Sequence, residues 1–345
     1  MTTGIVKDWR YLDHDMGLAH PESPDRIRAL YEMLEKDGAF SSYPVIAPRP
    51  AAEAEVELIH TKAYHDQIRR TAGRERVYLD PDTSTSPKSY ETALLAAGGT
   101  LRAAELILEK KVDNAFALVR PPGHHAEASA AHGFCIFNNV AIAAEHLVRS
   151  HGLKRILVVD WDLHHGNGTQ HSFEERDDVL YFSTHQFPHY PGTGHWSEVG
   201  KAKGAGFTVN VPLAPGKSDG DFLYIFKRLL APVARAFKPE FVLVSAGFVI
   251  FAGDPLGGMD VSVDGFGALA AELQELARSL SAGRILYALE GGYNLSGLKD
   301  GVGRVLLAMR DLKTAAMPAP RVSASTEAEL APVFRTQKKY WPVEP

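Results

Sequence analysis

The sequence predicts an α/β protein of one domain, with a mostly parallel sheet flanked by helices on both faces. Three observations carry that expectation. Short β-branched and apolar runs alternate with longer helical patterns along the chain, as in successive βαβ units. The strand-like runs are apolar throughout, which suits a sheet covered on both sides. The unusual polar clusters fall just after those runs, where open α/β sheets bind their ligands. At 345 residues, 45% of them hydrophobic and 23% charged, the chain has the length and composition for such a core.

Taken in order, Ser23 is placed to cap a helix with Pro24 at its first position, and Ile27, Leu30, Tyr31 and Leu34 give its apolar stripe. His20 and Glu22 precede it and suit a site rim or a solvated loop equally well. A short helix is expected over about 63–72, a loop over 80–84, and a long alanine- and leucine-rich helix from Ser86-Pro87 toward 110. Residues 114–119 read as a strand, stopped by the prolines of Arg120-Pro121-Pro122-Gly123-His124-His125-Ala126-Glu127. A helix over 140–148 leads to the buried strand Ile156-Leu157-Val158-Val159. Further strands are expected at 179–183, 207–211, 241–245 and 284–289, with helices over 221–237, 264–280 and on to about 312. The domain is expected to span 1–316, with 317–345 as a peripheral C-terminal extension packed on or near it. No repeat, low-complexity tract or linker interrupts it.

Charge and composition exclude several classes. A net charge of −5 gives no basic footprint for nucleic acid or a membrane surface. No run reaches the apolar length of a membrane span, and the first residues lack a signal-peptide core. A single cysteine, Cys135, rules out an internal disulfide and points to a cytoplasmic protein. Asn167-Gly168-Thr169 and Asn294-Leu295-Ser296 match glycosylation sequons, which carry no weight without secretion. Gly166-Asn167-Gly168 lacks the third glycine of a dinucleotide fingerprint, and no nucleophile elbow, zincin helix or Walker loop is present.

The chain is organised around Asp160-Trp161-Asp162-Leu163-His164-His165-Gly166-Asn167-Gly168, directly after the strand at 156–159. Asp162 and His164 have the spacing and chemistry of oxygen and nitrogen ligands for a borderline metal such as zinc. Two adjacent histidines, His124 and His125, with acids on a neighbouring strand, suit general acid–base work.

These stretches, with Gly133-Phe134-Cys135-Ile136-Phe137-Asn138-Asn139, Tyr190-Pro191-Gly192-Thr193-Gly194, Gly253-Asp254-Pro255-Leu256-Gly257 and Glu290-Gly291-Gly292-Tyr293-Asn294, resemble the signature set of the histone deacetylase superfamily. The matches keep the family's order from about 12 to 312, and Asn167 is similar to the class II and bacterial histone deacetylase-like branches and the acetylpolyamine amidohydrolases. The resemblance implies the arginase/deacetylase fold and a zinc-dependent hydrolase that removes acyl groups from an amine. It implies Asp162 and His164 as zinc ligands, and His124 and His125 as the acid–base pair oriented by Asp160 and Asn167. Tyr293 would donate to the oxyanion, while Gly133, Phe134, Tyr190 and Gly292 would wall the substrate tunnel. Asp160, Asp162, His164 and Ser183 would surround a structural potassium ion. The partner so implied is a small acylated amine or an acetyl-lysine peptide; a homo-oligomer is neither required nor excluded.

One position departs from the pattern. The family's third zinc ligand is an Asp directly after Ser-Ala-Gly-Phe, and this chain has Ser245-Ala246-Gly247-Phe248 followed by Val249. Valine cannot bind a metal, and two protein ligands remain where a catalytic zinc has three. The sequence therefore predicts impaired hydrolysis, with Asp254 as a substitute ligand only if its loop is rearranged. Three readings stay open: a binding module, a weak enzyme, or an introduced change in an otherwise active deacetylase.

Overall fold

The computed structural model describes residues 1–310 and 322–344. Its strands are β1 (Thr3–Val6), β2 (Val45–Ile46), β3 (Val77–Tyr78), β4 (Ser84–Thr85), β5 (Asn114–Ala117), β6 (Ile156–Asp160), β7 (Val179–Gln186), β8 (Thr208–Leu213), β9 (Phe241–Ala246) and β10 (Ile285–Leu289). Eight of them form one sheet in the order β2-β1-β5-β10-β9-β6-β7-β8, and β3 and β4 form a separate hairpin. All pairings in the large sheet are parallel. The central strands β6, β9 and β10 are buried at every residue, as their unbroken apolar runs require. The expected α/β architecture is therefore the one observed.

Two helical layers cover the sheet. Helices Ser89–Leu108, Asn139–Arg149 and Asn167–Phe173 pack together in one, and Pro24–Lys36, Val263–Leu280 and Leu295–Met309 in the other. The helical body expected over 221–237 is present, with a π-turn at Phe226–Leu230 just before Pro232. Proline has no N–H to donate back, so the ladder shifts register there. Ser23 is extended before Pro24 as expected, but its side chain makes no capping bond. Strand β1 and the short helix at Asn167 have no counterpart in the sequence reading. Both are brief, and local periodicity is weak over so few residues.

The expected boundary between 316 and 317 lies outside the described residues. Beyond it, helix Ala324–Gln337 lies against β8 and buries Leu330, Val333 and Phe334. Gln337 Nε2 donates to the Thr208 carbonyl at 3.3 Å, and Trp341 Nε1 to that of Gly206 at 2.7 Å, anchoring this segment on the sheet edge.

The chain moves outward through β6, β7 and β8, then returns to the centre with β9 and β10. The carboxyl ends of β5, β6, β9 and β10 therefore lie side by side. Their loops carry His124, Asp162, Phe248 and Tyr293 toward one place.

Candidate active site

A cavity of about 410 Å³ opens at that place, and its lining includes His124, His125, Asp162, His164, Gly291 and Tyr293. Gly133, Phe134 and Tyr190 also line it. Gly133 has φ +53°, and a Cβ there would fall 2.4 Å from the His125 ring, so only glycine lets the wall come this close. Gly292 does not line the cavity. Its neighbour Gly291 does, while Gly292 packs on Phe248 and its carbonyl accepts from Arg26 Nε at 2.7 Å. His189, Asp82, Pro122 and Leu256 also line the cavity. His189 stood in the aromatic, glycine-rich loop after β7, which was the available signal for it.

The two histidines lie ring against ring, 4.0 Å between centroids, in opposite environments. His124 Nδ1 is 3.0 Å from Asp160 Oδ2, which also accepts from Tyr181 Oη at 3.0 Å. Burial works against a charged imidazole, but Asp160 and Glu290 overcome it and raise the His124 pKa to about 10. His125 Nδ1 is 2.8 Å from Asn167 Oδ1, a neutral partner. Burial and the neighbouring charge of His124 push its pKa well below the ordinary value. The two partners thus favour the charged form of one ring and the neutral form of the other.

Asp162 and His164 lie together, His164 Nδ1 being 3.0 Å from Asp162 Oδ1. The other Asp162 oxygen accepts from Gly291 N at 3.1 Å. Burial raises the Asp162 carboxyl, yet the His164 bond and the His124 charge win and hold it well below the usual range. Asp160 and Ser183 pair in register across β6 and β7, beside the Asp162 turn.

Val249 is fully buried against this group. A Cβ on Gly291 would lie 2.5 Å from Val249 Cγ2, 2.8 Å from Asp162 Oδ2 and 3.3 Å from the Tyr293 hydroxyl. A methyl group thus shares the small space that a metal between Asp162 and His164 would need for its third ligand. The residues present do not make the three-ligand set of a catalytic zinc. Asp254 does not replace the missing ligand: its Oδ2 accepts from Tyr293 N at 2.7 Å and Asn294 N at 3.0 Å, and its Oδ1 from Leu256 N at 3.0 Å. Its role is to hold the tyrosine turn. Among the described residues, groupings of three potential metal donors occur elsewhere, at Glu53, Glu57, His65 and at Glu55, Glu105, His146. Both are already occupied by cations, Arg69 and Lys62 at the first and Arg49 at the second.

Glu22 belongs neither to a site rim nor to a solvated loop. It is fully buried and bridges two arginines, accepting from Arg120 Nε at 2.6 Å and Nη2 at 2.7 Å, and from Arg26 Nη1 at 3.0 Å. Arg26 in turn stacks 5.1 Å from the Tyr293 ring centroid. The ion pairs therefore buttress the tyrosine from beneath.

The eight-stranded parallel sheet with helices on both faces is the arginase/deacetylase fold. Residues 20–309 match the histone deacetylase domain, and the chain belongs to that family. It is 39% identical over 299 residues to a probable deacetylase of Archaeoglobus fulgidus, covering 86% of this chain and 83% of that one. It is 39% identical to the polyamine deacetylase HDAC10 of Danio rerio over 338 residues, 93% of this chain but 49% of the relative. The chain thus spans about half the length of several curated relatives, including 54% of histone deacetylase 5 of Arabidopsis thaliana. The crystal structure of the HDA15 HD domain superposes with a TM-score of 0.93 at 38% identity, covering 99% of this chain and 97% of that one. No helix among the described residues is long and apolar enough to cross a membrane.

Proposed function

We propose that the cavity receives the acyl group of a small acylated amine or an acetyl-lysine peptide, and that the site's chemistry is hydrolysis of that amide. Impaired turnover follows in this sequence from Val249. The observation that carries the proposal is the pair His124 and His125, one facing the carboxylate of Asp160 and the other the neutral amide of Asn167, in a cavity that Tyr293 also lines. A neutral His125 takes a proton from the attacking water, and the imidazolium of His124 protonates the departing amine. The Tyr293 hydroxyl donates to the oxyanion, an effect worth about 3 kcal/mol for a well-placed donor.

The family's zinc would polarise the carbonyl and acidify water when bound. Asp162 and His164 would supply two of its ligands here, and Val249 supplies none. The structural potassium ion is part of the same proposal. Oxygens of Asp160, Asp162, His164 and Ser183 are the hard donors such a cation takes. We place the protein in the cytoplasm on its single, buried Cys135.

Val249 also favours a second reading, a module that binds acylated amines without hydrolysing them. Zinc content, ligand affinity and turnover, measured on one preparation, separate the two. Binding of an acetylated peptide or acetylpolyamine with low zinc and slow turnover supports an impaired enzyme, and binding with no turnover supports the module. One zinc per chain with turnover that Val249→Asp does not improve would refute the impairment.

A further inference from the structure

Asn167 does not meet His125 alone. While its Oδ1 faces His125 Nδ1, its Nδ2 donates to Glu127 Oε1 at 2.6 Å and, more weakly, to the His125 carbonyl at 3.3 Å. His171 Nδ1 reaches the same Glu127 oxygen at 2.8 Å. A string of polar groups therefore runs from the buried base to a half-exposed histidine. It ends at a second cavity of about 310 Å³, whose lining includes Glu127, Glu145, Arg149, His171 and Arg176.

The chemistry of the string is directional. A side-chain amide offers a donor at one end and an acceptor at the other, and could present either to His125. A charged carboxylate only accepts. Burial pushes the Glu127 carboxyl up, but the bonds from His171 and Asn167 more than offset this and hold it below its ordinary value. Turning the Asn167 amide over would set two oxygens 2.6 Å apart. It would also lose a charge-assisted bond, roughly twice as strong as a neutral one. The His125 carbonyl favours the same orientation from a longer distance. With Asn167 Oδ1 fixed as acceptor, the imidazole nitrogen facing it must carry the proton.

We infer that Glu127 is a positioning residue: through Asn167 it keeps the proton of neutral His125 on Nδ1 and leaves Nε2 free as the base. His171 secures the carboxylate from the solvent side. What this does for catalysis rests on the deacylase reading above, because only a free lone pair can accept a proton. The tautomer itself does not depend on that reading.

The test is the tautomer of His125 in the full chain, labelled with ¹⁵N-histidine and read from two-bond nitrogen–proton correlations. The native protein should show Nδ1 protonated and Nε2 bare. Glu127→Gln introduces a group that can donate as well as accept, and Glu127→Ala removes the acceptor. In each the Nε2–H form should rise about tenfold, in line with one lost charge-assisted bond. Glu127→Asp keeps an acceptor-only group and should restore most of the native pattern. Glu127 is partly exposed in a loop, so the alanine variant leaves no closed void, and an unchanged amide spectrum elsewhere reports its fold. A native tautomer pattern in both Glu127→Gln and Glu127→Ala would overturn the inference and assign the amide's orientation to the His125 carbonyl. That result would leave the deacylase reading untouched, whereas absent turnover with the native tautomer would count against that reading alone.

Discussion

Val249→Asp places a carboxylate where a buried methyl now lies beside Asp162 and the Tyr293 hydroxyl. Without metal, this is a second anion next to one already held charged. An uncompensated buried charge costs about 3–5 kcal/mol, and the lost valine burial about 1.5 kcal/mol more. The metal-free variant should therefore be less stable by roughly 5 kcal/mol, which for a chain of this size lowers Tm by roughly 7 °C. Zinc opposes this loss, because Asp162, His164 and the new carboxylate complete a three-ligand site. Loss of groups that merely orient a ligand changes metal affinity by about 10–100-fold, so restoring a ligand should raise it by at least about 100-fold. Zinc at 100 times its Kd would return about 2.7 kcal/mol. The assay is thermal unfolding with chelator and with zinc, alongside zinc per chain after dialysis and turnover of an acetyl-lysine peptide. The expected result is a zinc-dependent rise in Tm much larger in the variant than in the native protein, with a gain in turnover. Equal zinc content and equal zinc-dependent shifts in the two proteins would refute the reasoning.

Three further outcomes follow from the geometry. In the Val249→Asp background, Tyr293→Phe should lower kcat about 100-fold while leaving KM nearly unchanged, since the hydroxyl acts on the oxyanion alone; steady-state kinetics checks this. Gly133→Ala puts a Cβ 2.4 Å from the His125 ring at a φ of +53°, so calorimetric titration with an acetylated ligand should show weakened or lost binding. Glu22 is held at a pKa of about 2 against a reference of 4.5, because Arg120 and Arg26 outweigh the cost of its burial. A depressed carboxyl stabilises the fold above its unfolded pKa, so about 3 kcal/mol should be lost as pH falls from 4.5 toward 2. Glu22→Gln, which strands two buried guanidinium groups, should remove a similar amount or more at neutral pH, measured by urea unfolding.

The sequence by itself determined the longer elements and the principal candidate residues of the site. Unbroken apolar runs such as Ile156 to Val159 can be stable only as strands covered on both faces, and their spacing by helical patterns implies a parallel sheet. His124, His125, Asp162, His164 and Tyr293 were each legible because each follows a strand, and strand ends are where such folds place ligands. Val249 was legible as a break in an otherwise continuous pattern.

What each residue touches was decided only by the tertiary structure. The return of β9 and β10 to the centre of the sheet brings loops more than 100 residues apart into one cavity, and no local periodicity encodes that order. It also decided that Gly291 rather than Gly292 faces the cavity, that Asp254 is bound to the tyrosine turn, and that Glu22 is buried. A glutamate in a loop before a helix reads the same in sequence whether solvent or two arginines await it. Local patterns report the hydrogen bonds and apolar stripes formed within an element. Burial and charge pairing depend on which distant elements become neighbours.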